Sequence, residues 1–259
     1  MQNTNEMRNW PESFGNKIIN ADCLEVRKEM PEKSVDLVFT SPPYNMRLRI
    51  RNGEYTEREF GAHFSKKYKE FGDALPMGVY YQFHSNCLRE MLRVSPIVFW
   101  NIQIVTGSKE AVFKIIGDFN REITDIIVWD KGFGQPAMNN GVLNRGYELI
   151  IIFESERKNG RTFNQYYFNR GTMQDIWRDG RGGKGQIEGH TALFPETLVN
   201  RALLGWSKAG DTILDPFLGS GTTAVVASQL NRKFIGIEIS KDYCAIAEER
   251  LRVVKNKLF

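Results

Sequence analysis

Residues 211–223 constrain the fold more than any other stretch, because they combine a short apolar run with a glycine-rich turn. Residues 212–214 predict a buried parallel strand with Asp215 at its carboxyl end, and residues 224–230 predict the helix that follows. The turn between them contains two glycines, Gly219 and Gly221. Because glycine lets the backbone approach a ligand closely, this order of elements predicts a ligand site at the carboxyl edge of an α/β sheet.

The residues of this turn favour one kind of ligand. The turn lacks the lysine of a Walker phosphate loop and the third glycine of a dinucleotide fingerprint. A carboxylate beside bare backbone instead suits a cationic or zwitterionic group. The next predicted strand, residues 234–239, carries Glu238, whose carboxylate suits two ribose hydroxyls. S-adenosylmethionine matches both carboxylates, and an ordinary αβ turn is the alternative. Thr222 and Thr223 are suited to capping the new helix.

Composition bounds the class of protein. The 259 residues, 41% of them hydrophobic, fit one α/β domain with a sizeable core. No apolar run is long enough to span a membrane, and the polar first residues lack the apolar core of a secretion signal, so we expect a cytoplasmic protein. The three widely spaced cysteines indicate reduced thiols, without a metal site. A net charge of +4 permits a nucleic-acid partner without requiring one.

A second chemical centre follows the apolar run at 35–39, which predicts another buried parallel strand. The strand leads into Thr40-Ser-Pro-Pro-Tyr-Asn45. The two prolines fix the backbone and donate no N–H, so their carbonyls and the Ser41 hydroxyl remain as acceptors. Tyr44 adds a flat aromatic face. Acceptors beside an aromatic ring suit an extruded nucleobase, whereas a simple proline-rich strand exit is the alternative.

Strands alternate with helices along the rest of the chain, which predicts a mostly parallel, doubly wound sheet. Further strands are predicted at 17–20, 97–100, 123–129 and 147–153, with a turn-rich loop at 132–144. Helices are predicted at 24–30, 79–93, 109–118, 196–206 and 242–255.

Two polar segments interrupt this alternation. Residues 46–75 predict a mobile loop that closes over DNA, although a solvated surface excursion is the alternative. Residues 154–190 mix basic and aromatic side chains, which favours a nucleic-acid recognition insert. A small satellite core is the alternative for its aromatics, namely Phe163, Tyr166, Tyr167, Phe168 and Trp177. The candidate DNA-contacting residues are Arg47, Arg49, Arg51, Arg161, Arg170, Arg178, Arg181 and Lys184.

Together, Thr40-Ser-Pro-Pro-Tyr-Asn45 and Asp215-Pro-Phe-Leu-Gly-Ser-Gly-Thr-Thr223 resemble the catalytic and cofactor motifs of amino-methylating DNA methyltransferases. The catalytic motif precedes the cofactor motif, with a target-recognition segment between them, which resembles the β class. The likeness covers residues 16–251. It implies one catalytic domain over 1–259 with an α/β, doubly wound, mostly parallel seven-stranded sheet of the S-adenosylmethionine-dependent methyltransferase type. Loop 46–75 and a small target-recognition insert, 154–190, lie within it.

The resemblance also implies the residues of the site. S-adenosyl-L-methionine would be the cofactor, held by Asp22, Cys23, Phe194, Asp215, Pro216, Phe217, Gly219, Gly221, Thr222, Thr223 and Glu238. The target base would be held by Ser41, Pro42, Pro43 and Tyr44. Double-stranded DNA would be the substrate of a cytoplasmic bacterial, archaeal or phage-encoded enzyme. A cognate restriction endonuclease and a homodimer are the protein partners that the family suggests.

An exocyclic amine is a poor nucleophile because the ring shares its lone pair. The Ser41 hydroxyl and the Pro42 carbonyl would accept the N–H groups of the amine, which favours a pyramidal nitrogen. This nitrogen would attack the sulfonium methyl group in line. Tyr44 would stack on the flipped base. In this family serine at position 41 favours cytosine N4, and aspartate or asparagine favours adenine N6. Residues 190–195 also resemble the cytosine-N4 members, except for Thr191. Adenine N6 is the alternative target.

Other classes fit the sequence less well. A catalytically silent DNA-binding protein would not need both motifs intact. A nicotinamide dehydrogenase is disfavoured by the missing third glycine and the proline pair. Methylation at cytosine C5 is disfavoured because the chain has no Pro-Cys pair. RNA as substrate stays open, and the recognition sequence does not follow from these residues.

Overall fold

The computed structural model describes residues 14–45, 50–51, 54–55, 75–135, 140–158, 160–179 and 195–257. The strands in these ranges are β1 (Lys17–Asn20), β2 (Leu37–Thr40), β3 (Ile50–Arg51), β4 (Glu54–Tyr55), β5 (Ile97–Ile102), β6 (Ile123–Gln135), β7 (Arg145–Glu154), β8 (Ile176–Trp177), β9 (Thr212–Asp215) and β10 (Lys233–Glu238). The helices are α1 (Cys23–Glu29), α2 (Met77–Val94), α3 (Lys109–Asp118), α4 (Glu196–Trp206), α5 (Thr222–Gln229) and α6 (Lys241–Lys257).

One eight-stranded sheet, in the order β1-β10-β9-β2-β5-β7-β6-β8, forms the centre of the molecule. Every neighbouring pair in it is parallel except the two made by β7. The predicted mostly parallel sheet is therefore confirmed. It has eight strands instead of seven, because β8, inside the predicted recognition insert, pairs with β6.

Helices cover both faces of the sheet, which makes it doubly wound. Successive residues of a strand point to opposite faces, so Phe39 and Phe99 pack on the side of α4, α5 and α6, with ring centroids 5.9 Å apart. Val38 and Trp100 pack on the other side with α1, α2 and α3. Burial on both faces explains why the central strands are near-continuous apolar runs.

The two motifs follow neighbouring strands. β2 pairs with β9, with Val38 opposite Leu214. From β9 the chain passes through α5 to β10, which lies on the side of β9 away from β2. The other neighbour of β2 is β5, which lies on the side of β2 away from β9. The boundary between β2 and β9 is thus a switch point of the topology, where ligands of open α/β sheets bind at the carboxyl edge.

The predicted turn-rich loop at 132–144 is shorter in the structure. β6 continues to Gln135, which pairs with Arg145 at the start of β7, across a register shift after Asp130. β6 and β7 therefore form an antiparallel hairpin. As a result, the first residues of β7 lie at the same edge of the sheet as the carboxyl ends of β2, β5 and β9.

The insert contributes to the core. Trp177 is fully buried, and the rings of Phe163 and Phe168 lie 5.1 and 4.9 Å from that of Trp206 in α4. These three aromatic side chains of the insert therefore belong to a packed core, the alternative that the sequence left open, because they cover the sheet beside β6. Tyr166 and Tyr167 are about half exposed.

The remaining local predictions differ from the structure by a few residues. Helices α3 and α4 begin and end where the sequence predicts them. Within the described ranges, no helix combines the length and apolarity needed to cross a membrane. Cys23, Cys87 and Cys244 are buried thiols that form no disulfide among the described residues.

Candidate active site

The carboxylate of Asp215 joins the two motifs. Thr40, the residue before the Ser-Pro-Pro-Tyr run, donates its hydroxyl to Asp215 Oδ1 at 2.7 Å, and Thr223 donates to Oδ2 at 2.7 Å. The backbone N–H of Phe217 donates to Oδ1 at 3.1 Å. Asp215 is 5% exposed, and this burial raises the pKa of its carboxyl to about 6. Asp215 thus fixes the end of β2, the glycine turn and helix α5 against one another.

The backbone conformation favours glycine at both positions of the turn. Gly219 and Gly221 have φ angles of +53° and +86°, in the left-handed region that favours glycine. A Cβ atom on Gly221 would also lie 2.6 Å from the Cβ of Ala247 in α6. Gly221 occupies the N-cap position of α5 without a side-chain cap. The predicted capping role of Thr222 and Thr223 is therefore wrong, because both lie inside the first turn.

Glu238 ends β10, the strand next to β9. Its two carboxylate oxygens accept from the N–H of Gly219 at 2.8 Å and the N–H of Ser240 at 2.9 Å. The acidic side chain that the sequence predicts for a ribose therefore lies directly against the glycine turn. Strand order thus brings Asp215 and Glu238 to one edge of the sheet.

Asp22 and Cys23 follow β1, which pairs with β10 on its other side. Asp22 Oδ1 accepts from the Leu24 N–H at 2.8 Å, so this carboxylate caps the first turn of α1. A small apolar cavity lies beside it between the sheet, α1 and α2. Its lining includes Cys23, Cys87, Met91, Leu214, Pro216 and Ile237. This cavity lies next to the Glu238 strand, and its surface is almost entirely apolar.

The Ser-Pro-Pro-Tyr loop is held in place from α2 and from the loop before α3. Pro42 and Pro43 are buried, and Tyr80 of α2 donates its hydroxyl to the Pro43 carbonyl at 2.9 Å. Asn45, with a φ of +57°, donates to the Gly107 carbonyl at 2.7 Å. His84 lies in α2 with its ring 4.1 Å from that of Tyr80, and burial lowers its pKa to about 3. His84 is therefore neutral at physiological pH.

Ser41 and Tyr44 are partly exposed at the same edge, and their hydroxyl oxygens lie 2.8 Å apart. Three polar residues that sequence reasoning missed lie behind them. Tyr44 donates its hydroxyl to Glu148 Oε2 at 2.9 Å, and Asn101 Nδ2 lies 2.6 Å from the same hydroxyl. Lys131 Nζ lies 2.9 Å from Glu148 Oε1.

A sequence signal for these residues exists. Asn101, Lys131 and Glu148 interrupt or directly follow apolar strand segments, where a charged or amide side chain is costly unless it is paired. The side chains of Lys131 and Glu148 are each 10% exposed. Three such residues on three predicted strands could have predicted a polar cluster at one edge.

The candidate DNA-contacting residues separate by position. Arg178 follows β8 at the carboxyl edge and pairs with Asp130, next to Lys131, at 3.5 Å. Arg161 pairs with Asp125, nearer the amino edge of β6, at 2.8 Å. Arg170 is exposed, and Arg51 lies in β3. The predicted site residues outside the described ranges are the DNA-contacting candidates Arg47, Arg49, Arg181 and Lys184 and the cofactor candidate Phe194.

These features define an α/β protein with a ligand site at a topological switch point, built from an acidic glycine turn and a proline-fixed loop. Residues 35–249 match the model of the N6 and N4 DNA methylase family. This match covers most of the sequence, so the chain belongs to that family and is a DNA methyltransferase. The predicted amino-methyltransferase family is thereby confirmed.

Individual relatives agree with this assignment. The chain is 29% identical to the Type II methyltransferase M.HinfI of Haemophilus influenzae over 262 residues, which cover 93% of this chain and 70% of the relative. Its fold is similar to that of the cytosine-N4-specific PvuII DNA methyltransferase, with a TM-score of 0.66, 17% identity and coverage of 93% and 92% of the two chains. It is also similar to M1.HpyAVI, whose structure is a complex with SAM, with a TM-score of 0.58, 21% identity and coverage of 91% and 99%.

Proposed function

We propose that the protein transfers a methyl group from S-adenosyl-L-methionine to the exocyclic N4 of cytosine in double-stranded DNA, at a specific sequence and in a flipped-out base. The observation that carries this proposal is the Ser41 hydroxyl. It is partly exposed beside Tyr44, one residue after the threonine that Asp215 holds against the glycine turn. A target amine at Ser41 would therefore lie next to the cofactor turn.

The described residues fit the cofactor. Glu238 at the end of β10 would accept from the ribose hydroxyls, and the apolar cavity lined by Cys23, Pro216 and Ile237 suits the adenine ring. The positive φ angle of Gly219 brings bare backbone to the same edge. When bound, S-adenosyl-L-methionine supplies an electrophilic methyl group. Asp215 serves as a positioning residue, because its carboxylate bonds to Thr40, Thr223 and the Phe217 N–H.

The residues of the chain make the target amine reactive. Ser41 Oγ and the Pro42 carbonyl accept its two N–H groups, which favours a pyramidal nitrogen whose lone pair is no longer shared with the ring. The Tyr44 ring stacks on the flipped base. Fixing the amine within reach of the methyl group removes much of the entropic cost of the reaction. No covalent bond between base and protein is required.

Cytosine N4 is the preferred target for two reasons. Position 41 is serine, and a chain of similar fold is specific for cytosine N4. Adenine N6 is the second candidate, because the matching family covers both amines and adenine also presents an amine beside a ring-nitrogen acceptor. The name of the M.HinfI relative, a Type II methyltransferase, supports a role beside a cognate restriction endonuclease.

Nucleoside mass spectrometry on unmethylated duplex DNA, incubated with the protein and S-adenosyl-L-methionine, tests the proposal. N4-methylcytosine is the expected product. N6-methyladenine would retain the enzyme class and overturn the assignment of the base. No methylated base on a DNA pool that contains all short sequences would favour the catalytically silent DNA-binding protein.

A matched pair of serine variants tests the role of Ser41. The Ser41→Ala variant should lose methyl transfer by about 100-fold or more, the typical cost of removing one positioned hydrogen-bonding group from an active site. The control is Ser155→Ala. Ser155 directly follows β7 at the opposite edge of the sheet, so this variant should leave the rate unchanged. An unchanged rate in Ser41→Ala would overturn the mechanism.

A further inference from the structure

A connected polar network lies behind the Ser-Pro-Pro-Tyr loop and goes beyond the residues that the proposed function uses. It begins at Lys131 on β6, passes through Glu148 on β7 and reaches Tyr44 and Ser41 after β2. Asn101 on β5 contacts Tyr44 and Glu148, the two central residues of this network. Four adjacent strands therefore bring these five residues to the same edge of the sheet, two from the segment after β2 and one each from β5, β7 and β6.

The charge on Glu148 sets the direction of the hydrogen bonds. A carboxylate paired with a lysine only accepts hydrogen bonds, so Tyr44 donates its single proton to Glu148 Oε2 at 2.9 Å. The Tyr44 oxygen then has no proton left for Ser41. The 2.8 Å contact between the two hydroxyls must therefore be a bond in which Ser41 donates and Tyr44 accepts.

Asn101 reinforces this direction. Its Nδ2 lies 2.7 Å from Glu148 Oε2, 2.6 Å from the Tyr44 oxygen and 3.4 Å from Ser41 Oγ, so its two N–H groups go to the two nearer acceptors. Reversing the amide would place Oδ1 against the carboxylate oxygen, where two acceptors repel each other. Asn101 is fully buried, so water cannot relieve such a repulsion. The Tyr44 oxygen thus accepts from Asn101 and from Ser41.

We propose that Lys131, Glu148 and Asn101 are positioning residues that direct the Ser41 proton onto Tyr44 and leave the lone pairs of Ser41 Oγ facing the target amine. This inference rests on the proposed function, because it concerns how Ser41 receives the amine. With the opposite direction, Tyr44 would occupy one lone pair of Ser41 Oγ and the Ser41 proton would be released from Tyr44, so a donor would compete with the remaining lone pair for the position that faces the amine. The network therefore selects an acceptor at the position where the amine needs one.

Lys131 has a defined part in this arrangement. It donates to Glu148 Oε1 at 2.9 Å, on the other oxygen from the one that Tyr44 uses. A buried carboxylate without a cation would be costly to keep charged. Lys131 compensates the charge of Glu148, although it lies three hydrogen bonds away from Ser41.

Replacing Glu148 by glutamine changes the direction with little change of shape. The glutamine carbonyl would face Lys131, which only donates, so the amide N–H₂ would stand against the Tyr44 oxygen and the Nδ2 donor of Asn101, and the acceptor of both hydrogen bonds would be lost. Tyr44 would then accept from Gln and donate to Ser41. We expect Glu148→Gln to reduce kcat for methyl transfer by about 100-fold, with the Kd for S-adenosyl-L-methionine and for duplex DNA changed less than about threefold.

The matched control is Glu154→Gln. Glu154 is a second buried glutamate of β7, and it accepts from Thr124 at the other end of the strand. The Glu154→Gln variant should have a kcat within about twofold of the wild-type value. Lys131→Met combined with Glu148→Gln removes both charges and frees the glutamine to turn its carbonyl towards Tyr44 and Asn101, so this double variant should recover part of the kcat lost in Glu148→Gln. Equal losses in Glu148→Gln and Glu154→Gln would overturn the proposal.

A double-mutant cycle separates direction from general support of the fold. If Glu148 acts through Ser41, the Ser41→Ala/Glu148→Gln variant should be no slower than Ser41→Ala alone. Fully additive losses would contradict a shared pathway.

Neutron diffraction on deuterium-exchanged crystals of the wild-type protein tests the direction without relying on activity. The expected result is a Ser41 deuteron between Ser41 and Tyr44, and a Tyr44 deuteron on the line to Glu148. A Tyr44 deuteron directed at Ser41 overturns the proposal even if the enzyme methylates cytosine. The absence of methylated DNA in the wild-type assay would instead overturn the proposed function and leave this geometric result to be judged separately.

Discussion

At the scale of single residues, the site depends on carboxylates whose hydrogen bonds go to the protein itself. Asp215 holds Thr40, Thr223 and the Phe217 backbone, and Glu238 holds the glycine turn. Each carboxylate therefore ties a motif to its neighbour. A carboxylate as buried as Asp215 has a cost, since burial disfavours its charged form and raises its pKa to about 6.

This cost predicts a pH dependence for Asp215→Asn. The folded state binds the Asp215 proton more tightly than the unfolded chain does, so this group's contribution to stability is complete below about pH 4 and is lost as pH rises to about 6. Asparagine retains the shape without titrating. The free energy of unfolding of the variant should therefore rise relative to wild type by about 2 kcal/mol between pH 4 and pH 7.

Urea unfolding followed by tryptophan fluorescence at several pH values measures this difference. Because His84 titrates in both proteins, its effect cancels in the comparison. A difference between the two proteins that does not vary with pH would show that Asp215 is not held in this state.

At the scale of elements, the insert behaves as part of the fold around α4. Trp206 ends this helix and contacts the rings of Phe163, Phe168 and Trp177, which come from the segment that the sequence presents as a recognition insert. β8 adds a parallel strand beside β6. Packing against α4 therefore fixes where the residues after β8, including Arg178, leave the sheet.

Trp206→Ala should destabilise the protein by about 3 to 5 kcal/mol, the usual cost of deleting a large buried aromatic side chain. Leu204→Ala on the same helix is the control, because Leu204 is 51% exposed and should cost about 0.5 kcal/mol. Chemical denaturation measures both. Hydrogen exchange should show faster exchange at β8 in Trp206→Ala, and similar effects of the two substitutions would contradict the packing role.

At the scale of the whole molecule, the sheet has a functional edge and an opposite edge. The Ser-Pro-Pro-Tyr loop, the glycine turn, Glu238 and the Lys131–Glu148 pair all lie at the carboxyl edge. Arg178 lies at this edge, whereas Arg161 pairs with Asp125 towards the other. Double-stranded DNA that delivers a base to Ser41 must approach the carboxyl edge, so these two arginines should differ in their contribution.

Arg178→Gln should weaken binding of duplex DNA and reduce the slope of log K against log salt by about 1, the effect of losing one phosphate contact. Arg161→Gln, which removes the same charge at the opposite edge, should leave affinity and slope unchanged. Fluorescence anisotropy at several salt concentrations measures both. A larger effect of Arg161→Gln would place DNA on a different face.

The amino-acid sequence by itself determined the order of elements, the two motifs and the edge at which they meet. Apolar runs such as 35–39 and 212–214 predict buried strands from local pattern alone, and the carboxyl ends of parallel strands share an edge. Local pattern also predicts α3 and α4 to the residue. The motifs identify the chemistry because each is contiguous along the chain.

Only the tertiary structure decided the features that depend on contacts between distant residues. Tyr44 and Glu148 are 104 residues apart in the chain, and their hydrogen bond exists only because β7 runs antiparallel and brings its first residues to the carboxyl edge of the sheet. The burial of Trp177 likewise requires α4 to cover β8. The two threonines do not cap α5, because the N-cap position is taken by Gly221, which lies against Ala247 of α6. Pairing and packing across the sheet decide these contacts, and no local pattern encodes them.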